Sequence, residues 1–358
     1  MDMTKILVIK TGGTLAERPD LEGILQPSPD EFLHKVEGLD DLAEINMEDL
    51  MNIESANMET NLKFNNPGQA EKMKDRSDIA RLIYKNAFYY DGFVVFHGTD
   101  TMTETAAALT YMLQGFRKPI VLTGSQRSIW LPRSDGQNNI YTAIQAATKD
   151  YGEVLIAFGN YILRGTRARK IDEEGYDAFM TPGVAPLGKV TALSEGIRVA
   201  DHRIKRESFD PRIFTDFDTR IFHYAHISGA TVDDALSYIA KSESISGILM
   251  SGFGAGNVPD NLLPFIKEAN SYGKPVFVYT SCDTGAADMG IYSVGLAPLQ
   301  AGARPAGDMT LQALGQKFMY ALARANAEGL EGEMRLNFVN SIVLTPYNGD
   351  ITITERRR

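Results

Sequence analysis

Two short loops hold the side chains best suited to chemistry. Thr11-Gly12-Gly13-Thr14 follows the run Lys5-Ile6-Leu7-Val8-Ile9-Lys10, and His97-Gly98-Thr99-Asp100-Thr101 follows Gly92-Phe93-Val94-Val95-Phe96. A hydroxyl becomes a useful nucleophile only when a base takes its proton, and a carboxylate beside it can hold a cation. Two hydroxyls and a carboxylate brought to one place therefore suit nucleophilic attack and proton transfer. Each loop taken singly has a plainer reading. Paired glycines make a tight turn because Gly tolerates positive φ, and Thr or Asp ahead of a helix caps it. The functional reading rests on the pair.

Both loops leave β-branched or aromatic runs, which read as strands cut short by glycine. The second leads into Thr101-Met102-Thr103-Glu104, with the spacing of a capping box and hence a helix start. In an open α/β sheet, ligands bind beyond the carboxyl ends of the strands, where such loops converge. The rest of the chain supplies that frame. Helices are expected from Ser28-Pro29-Asp30-Glu31, from Asn66-Pro67 with Ile79, Leu82 and Ile83 facing a core, from Thr101 to Gly115, and over Gln137–Thr148. Strands are expected over Ile45–Ile53, Lys118–Leu122, Val154–Phe158 and Tyr161–Arg164, the last two joined by Gly159-Asn160 as a hairpin. A second alternation has strands at Arg220–Tyr224, Gly247–Met250 and Pro275–Tyr279, with helices starting near Thr231, Pro259 and Thr310.

This pattern predicts two α/β domains in series. The larger, residues 1–204, has a mostly parallel sheet with an added hairpin. A charged, irregular linker is expected over 205–220, and a smaller parallel-sheet domain over 221–358.

A chain of 358 residues is long for one core. Its formal charge of −10 opposes a nucleic-acid or anionic-membrane surface, and Arg356-Arg357-Arg358 reads as a solvated tail. One cysteine, Cys282, excludes an internal disulfide and a multi-cysteine metal site; a buried, inert thiol is its expected state. The N-terminus lacks the pattern of a secretory signal, and no apolar run approaches the ~18 residues of a membrane span. A cytoplasmic protein is expected.

Several patterns fail on inspection. Gly183-Val184-Ala185-Pro186-Leu187-Gly188-Lys189 has phosphate-loop spacing, but Val190 stands where Ser or Thr is required and a proline interrupts it. Gly252-Phe253-Gly254-Ala255-Gly256-Asn257 carries Asn at the third glycine of a dinucleotide fingerprint. On a strand, His223 and His226 would face opposite sides and so would not share a metal. His97 reads as a hydrogen-bonded strand-end residue. The missing base could be a lysine, if desolvation beside a hydroxyl and a carboxylate lowers its pKa. Lys170, in Arg164-Gly165-Thr166-Arg167-Ala168-Arg169-Lys170, is a candidate, though the pattern does not distinguish it from a surface cation.

The two threonine segments resemble the signature segments of the bacterial-type L-asparaginases. The likeness continues in order through Glu54-Ser55-Ala56-Asn57-Met58, Thr123-Gly124-Ser125-Gln126, Arg133-Ser134-Asp135-Gly136 and Arg164-Gly165 to Lys170 and Asp177-Ala178-Phe179, and its wording suggests the cytoplasmic (type I) branch. The resemblance implies hydrolysis of L-asparagine to aspartate and ammonia, without metal or organic cofactor. Thr14 would attack the side-chain amide and form an acyl-enzyme. Thr99, Lys170 and Asp100 would form a second triad that moves protons and activates water. Asp100 would also hold the substrate ammonium, Ser55 and the Thr99 region would grip its carboxylate, and Gly12 and Gly13 would leave room for it. A carboxylate at a helix N-terminus stays ionised, and nearby backbone N–H groups could stabilise an oxyanion.

The resemblance also implies a homodimer or homotetramer, since family sites are completed by a neighbouring subunit. Two departures stand out. The stretch Glu22-Gly23-Ile24-Leu25-Gln26 lacks the tyrosine that family members often carry on the loop after the nucleophile. Thr280-Ser281-Cys282-Asp283-Thr284-Gly285, equivalent to the second-domain region by which a neighbouring subunit completes family sites, offers Asp283 and Thr284 but no securely aligned acid; Cys282 falls there too, in the part of the chain where some cytoplasmic members have an asparagine effector site. Two other readings remain open. A glutamine-hydrolysing subunit of a tRNA-dependent amidotransferase shares this core; it would predict an added N-terminal module and a basic surface, whereas here the motif begins within fifteen residues of Met1 and the chain is acidic. A non-catalytic amino-acid binder would require Thr14, Thr99 and Lys170 to coincide by chance.

Overall fold

The computed structural model describes residues 3–15, 17–20, 22, 25–26, 30–60, 75–192, 196–229, 233–290 and 293–352. The chain divides into two compact units, Met1–Thr215 and Asp216–Arg358.

In the first unit the main strands are β1 (Lys5–Lys10), β2 (Glu44–Asp49), β3 (Gly92–Phe96), β4 (Ile120–Thr123), β5 (Val154–Phe158) and β6 (Tyr161–Arg164). A two-residue pair, β7 (Arg169–Lys170) and β8 (Phe179–Met180), follows, then β9 (Gly188–Val190) and β10 (Ile197–Val199). Eight of these form one sheet in the order β10-β9-β6-β5-β4-β3-β1-β2. From β2 to β5 neighbours are parallel, and from β5 to β10 they are antiparallel. The β5–β6 hairpin turns at Gly159, whose φ of 57° suits glycine. Beyond it, β9 and β10 extend the antiparallel edge. This edge absorbs Gly188-Lys189-Val190, so the phosphate-loop lookalike ends inside a strand.

The order matters more than the count. From β1 the chain crosses to β2 on one side and then returns to β3 on the other. Connections leaving β1 and β3 therefore diverge, which opens a crevice at the carboxyl ends of those two strands.

Helices α1 (Arg76–Lys85), α2 (Met102–Met112) and α3 (Gly136–Thr148) belong to this unit. The pleat splits the strand side chains: Ile6, Val8, Val94, Phe96, Val121 and Leu155 join Ile140, Ala143 and Ile144 of α3 in one core cluster. The start of α1 is a capping box, with Asp75 accepting from Ser77 N and Asp78 accepting from Asp75 N. The start expected at Asn66-Pro67 lies outside the described residues, as do Ser28 and Pro29; a 3-10 helix covers Asp30–Lys35.

The stretch after residue 204 is fastened to the first unit. The Arg206 guanidinium donates to the carbonyls of Lys149, Ala147 and Asp91, and Arg212–Ile213 pair with Leu113–Gln114.

The second unit has four parallel strands, β11 (Ile221–Tyr224), β12 (Gly247–Gly252), β13 (Val276–Thr280) and β14 (Arg304–Pro305), lying side by side in chain order. Its helices are α4 (Asp233–Lys241), α5 (Leu263–Ser271), α6 (Ser293–Gln300), α7 (Leu311–Ala327) and α8 (Gly332–Leu344). Thr310 caps α7 by accepting from Ala313 N. The start expected for α4 near Thr231 lies outside the described residues.

Candidate active site

The loops after β1 and β3 meet at the crevice. Thr11 is consumed structurally: its N–H and its hydroxyl both donate to the Phe96 carbonyl, at 3.1 and 2.8 Å. Gly12 and Gly13 follow with φ of 112° and 89°, a region that disfavours side chains. Space excludes them as well. A methyl on Gly13 would lie 2.6 Å from Gly98 N, and one on Gly98 would lie 2.6 Å from Ser55 Oγ. Gly13, Gly98 and Ser55 are thus stacked in contact. Thr14 and Thr99 each stand one residue beyond that contact, and both are half-buried.

Lys170 reaches Thr99 from the β7–β8 pair, where it stands opposite Phe179. Phe179 packs edge-on against Phe158 at the end of β5, with ring centroids 4.9 Å apart, which holds the pair near the carboxyl end of the sheet. Lys170 Nζ lies 3.0 Å from Thr99 Oγ1 and 2.9 Å from Asp100 Oδ1. The lysine side chain is 20% exposed and the aspartate 63%. Two other basic residues of the run go elsewhere: Arg164 pairs with buried Glu153, and Arg167 is buried. This separation could not be read from the sequence.

The capping box expected at Thr101 does not form. Thr101 is the N-cap of α2 but makes no side-chain cap. Its hydroxyl donates to the Ser55 carbonyl at 2.7 Å, while Glu104 accepts from Thr103. The hydroxyl is better spent here, because it ties the short 3-10 turn Ser55–Asn57 to the Thr99 loop.

The loop after β4 braces the flank of Thr14. Ile129 N donates to Leu15 O at 3.3 Å and Ser128 Oγ to Glu17 O. Burial, with the nearby Glu54 charge, pushes the Glu17 carboxyl up. Asp135 accepts from the N–H groups of Gln126 and Arg127. Asn139 of α3 ties Gly124 O to Gly159 N, at 2.9 and 3.1 Å. Gln126 reaches the carbonyls of Glu173 and Gly175, linking this loop to the segment after Lys170. Ser125 Oγ is buried with no partner among the described residues, a state that calls for a ligand or water. The sequence marked Thr123–Gln126 and Asp135 as positions, but not their bracing role, because their partners lie 8 to 49 residues away.

Other expectations fare differently. Cys282 is exposed rather than buried: it sits just past the end of β13, where its N–H donates to Thr280 Oγ1. His223 pairs with the Tyr279 hydroxyl and His226 with that of Tyr224, so the two imidazoles serve separate aromatic partners. Among the described residues no three His, Cys, Asp or Glu side chains are grouped to hold a metal, and no helix is long and apolar enough to cross a membrane. Of the stretch after Thr14, Leu25–Gln26 pair with Arg18–Pro19; Gly23 and Ile24 lie outside the described residues.

The family model for the asparaginase N-terminal domain matches residues 5–204, and that for the glutaminase/asparaginase C-terminal domain matches 221–329. The chain belongs to the asparaginase family. It is an amidohydrolase of that family with the two-domain α/β architecture. An L-asparaginase of Thermococcus kodakarensis is 30% identical over 94% of this chain and 99% of its own. The structure of that thermostable L-asparaginase superposes with a TM-score of 0.84, covering 98% of this chain and all of the other. Vibrio cholerae L-asparaginase I gives 0.82 at 26% identity, with 98% and 100% covered. The asparaginase family extends to a second activity. A glutamyl-tRNA(Gln) amidotransferase subunit from Aeropyrum pernix is 33% identical over 89% of this chain and 75% of its own.

Proposed function

We propose that this family member is an L-asparaginase working through a threonine acyl-enzyme. The observation that carries the reading is the Lys170 ammonium shared between the Thr99 hydroxyl and the Asp100 carboxylate, one residue from the Gly13–Gly98 contact that brings Thr14 to the same crevice. Thr14 attacks the side-chain amide carbon. Its proton ends on the amide nitrogen, which leaves as ammonia, and an ester to Thr14 remains. A water proton then passes to the Thr99 oxygen as the Thr99 hydrogen moves to Lys170 and Lys170 yields one of its own to the Asp100 carboxylate. The hydroxide adds to the ester carbon, the bond from that carbon to Thr14 breaks as aspartate departs, and the proton held by the triad restores the Thr14 hydroxyl. The route needs neither a metal nor an organic cofactor.

Asp100 keeps carboxylate oxygen open to solvent and so can also hold the substrate α-ammonium, while Ser55, Gly13 and the Thr99 region face its α-carboxylate. The same reading makes the protein a cytoplasmic homodimer or homotetramer with its catalytic groups in a domain of residues 1–204, a linker over 205–220 and a second domain over 221–358. Light scattering on the purified protein tests the assembly.

The identity shared with the Aeropyrum pernix protein favours glutamine as the second reading. Asparagine and glutamine differ by one methylene, which a pocket resolves by only about 1–3 kcal/mol. Ammonia release over a range of each amide decides between them. Saturable release from asparagine, abolished in Thr14→Ala, supports the asparaginase. Release from glutamine alone transfers the assignment to the amidotransferase. Well-folded protein silent with both amides removes it.

A further inference from the structure

Behind Thr99 lies a buried polar chain that the hydrolytic steps leave unassigned. Arg76, the first residue of α1, is 5% exposed. Its Nε donates to Thr105 Oγ1 at 2.8 Å and its Nη1 to Thr60 Oγ1 at 2.9 Å. Thr105, fully buried on α2, lies 2.8 Å from His97 Nε2. His97 Nδ1 lies 2.7 Å from the Gly98 carbonyl.

The two ends of this chain settle where each hydrogen sits. A guanidinium only donates, so the Thr105 oxygen accepts from Arg76. The hydroxyl hydrogen then goes to His97 Nε2, since the other acceptor in reach among the described residues, Met58 Sδ at 3.9 Å, is weak. A carbonyl only accepts, so His97 Nδ1 carries the hydrogen that reaches Gly98 O. One hydrogen on Nδ1 and none on Nε2 make a neutral imidazole in a single tautomer. Protonation at Nε2 would turn two donors against each other and set a second cation close to Arg76.

We propose that Arg76, Thr105 and His97 are positioning residues, which hold the Gly98–Thr99 peptide in one orientation through His97 locked as its neutral Nδ1–H tautomer. His97, though it neighbours the reacting groups, transfers no proton during turnover. The orientation has a direct consequence. No peptide bond among the described residues is cis, so carbonyl and N–H of one peptide point in opposite directions. With the Gly98 carbonyl turned onto the buried imidazole, the Thr99 N–H points away from it and has no partner among the described residues. The main chain of Thr99 is thus set from behind by His97, and its hydroxyl is met at 3.0 Å by Lys170.

Electrostatics agree with the tautomer. Burial, with the Arg76 charge adding to it, lowers the His97 pKa to about 4, against the opposing pull of the Gly98 carbonyl. Arg76 is lowered to about 10 by its own burial, against the carboxylates of Glu104, Asp75 and Glu59. It remains cationic, and remains a donor, throughout the working range.

The inference rests on the role proposed for Thr99, and its test separates the two. Nitrogen-15 NMR of the imidazoles in the intact wild-type protein is read from about pH 5 to 8, a span on either side of the ordinary histidine value. His97 is expected to hold the Nδ1–H form without titrating. A His97 that titrates in this span, or that shows the Nε2–H form, overturns the proposal, and this readout needs no activity and no variant. Thr105→Val is expected to release the tautomer into exchange and to lower kcat roughly 10- to 100-fold, the scale of a small misplacement, while KM changes by less than about threefold. Thr105→Ser, which keeps the hydroxyl, is expected to restore both. A Thr105→Val protein with wild-type kcat, or a Thr105→Ser protein as impaired as Thr105→Val, overturns the positioning role. If the wild type turns over neither amide, the role of Thr99 fails, and a locked tautomer would still support the buried chain.

Discussion

The two units share a construction and differ in what their strand ends hold. Each is a twisted sheet with parallel strands, and each has glycines at positive φ in the loops at its carboxyl edge. In the first unit the order β4-β3-β1-β2 reverses direction between β3 and β1, so neighbouring loops part and a crevice opens. In the second unit β11 to β14 follow one another without reversal. Its strand-end loops turn back on themselves instead. Phe253 pairs with Asn257 across Gly254 to Gly256, and Thr280 spends its hydroxyl on Gly254 O. Charge is handled differently too. Lys170 shares itself with a largely exposed aspartate, whereas Asp218 in the second unit is fully buried and bound by Arg220, Ser246 and Asn326. The same architecture therefore leaves a lysine, a hydroxyl and a carboxylate together at the strand ends of one unit and ties its strand-end loops to one another in the other, as expected where a site is grafted on a fold.

Replacement of lysines tests this contrast most severely. Lys170→Met is expected to lower kcat for amide hydrolysis by roughly 10²- to 10⁴-fold, the usual worth of a proton-transfer group, with a melting temperature close to wild type. Lys241→Met removes the exposed Lys241–Glu268 pair of the second unit and should leave kcat unchanged and stability within about 1 kcal/mol. Equal kinetic effects would erase the distinction.

Asp218→Ala should do the reverse. The Arg220 side chain left behind is 43% exposed and stays solvated, but the Ser246 and Asn326 donors lose their acceptor; the expected cost is about 1–3 kcal/mol, visible as a lower denaturation midpoint, while kcat per folded molecule stays near wild type. Acid provides a milder form of the same test. Burial would raise the Asp218 pKa, but hydrogen bonds from Arg220, Ser246 and Asn326 outweigh that and hold it down to about 2, from 3.8. A carboxyl depressed in the folded state contributes stability that is fully present above its unfolded pKa and is lost as pH falls through the folded one. Stability of the wild type should therefore decline as pH falls from about 4 towards 2, and Asp218→Asn should flatten that part of the curve.

Glycine replacement gives the smallest effects. Gly98→Ala would bring a methyl to 2.6 Å from Ser55 Oγ; the expected cost is about 1–3 kcal/mol, with a raised KM because Ser55 must move. Gly254→Ala meets open space at φ 50° and should cost about 1–2 kcal/mol from the left-handed backbone, with KM unchanged. Parallel KM shifts in both variants would mean that the Gly98 contact does not shape the site.

Periodicity and glycine punctuation made the parallel strands, the β5–β6 hairpin and the main helices legible. The short edges were not. Strands β9, β10 and β14 have two or three residues each, too few for a pattern, and α8 begins without a side-chain cap to announce it. Thr101 shows a different limit. Its spacing fits a capping box, yet a tertiary acceptor, the Ser55 carbonyl, won the hydroxyl. Cys282 shows a third, since a small apolar residue just past a strand end can be left in solvent.

By itself the sequence determined which residues could react and which strand each followed: Thr14 after β1, Thr99 and Asp100 after β3, with glycines where backbones approach closely. Tertiary structure decided which cation joins them. Seven residues from Arg164 to Lys170 carry four positive charges, and local chemistry treats them alike. Only the fold buries Arg167, pairs Arg164 with Glu153 and swings Lys170 across 71 residues of chain to Thr99. It likewise set the buried order Arg76, Thr105, His97 behind that threonine. Hydrogen bonds and ion pairs act over about 3 Å, and distance in space, not in sequence, selects the partner.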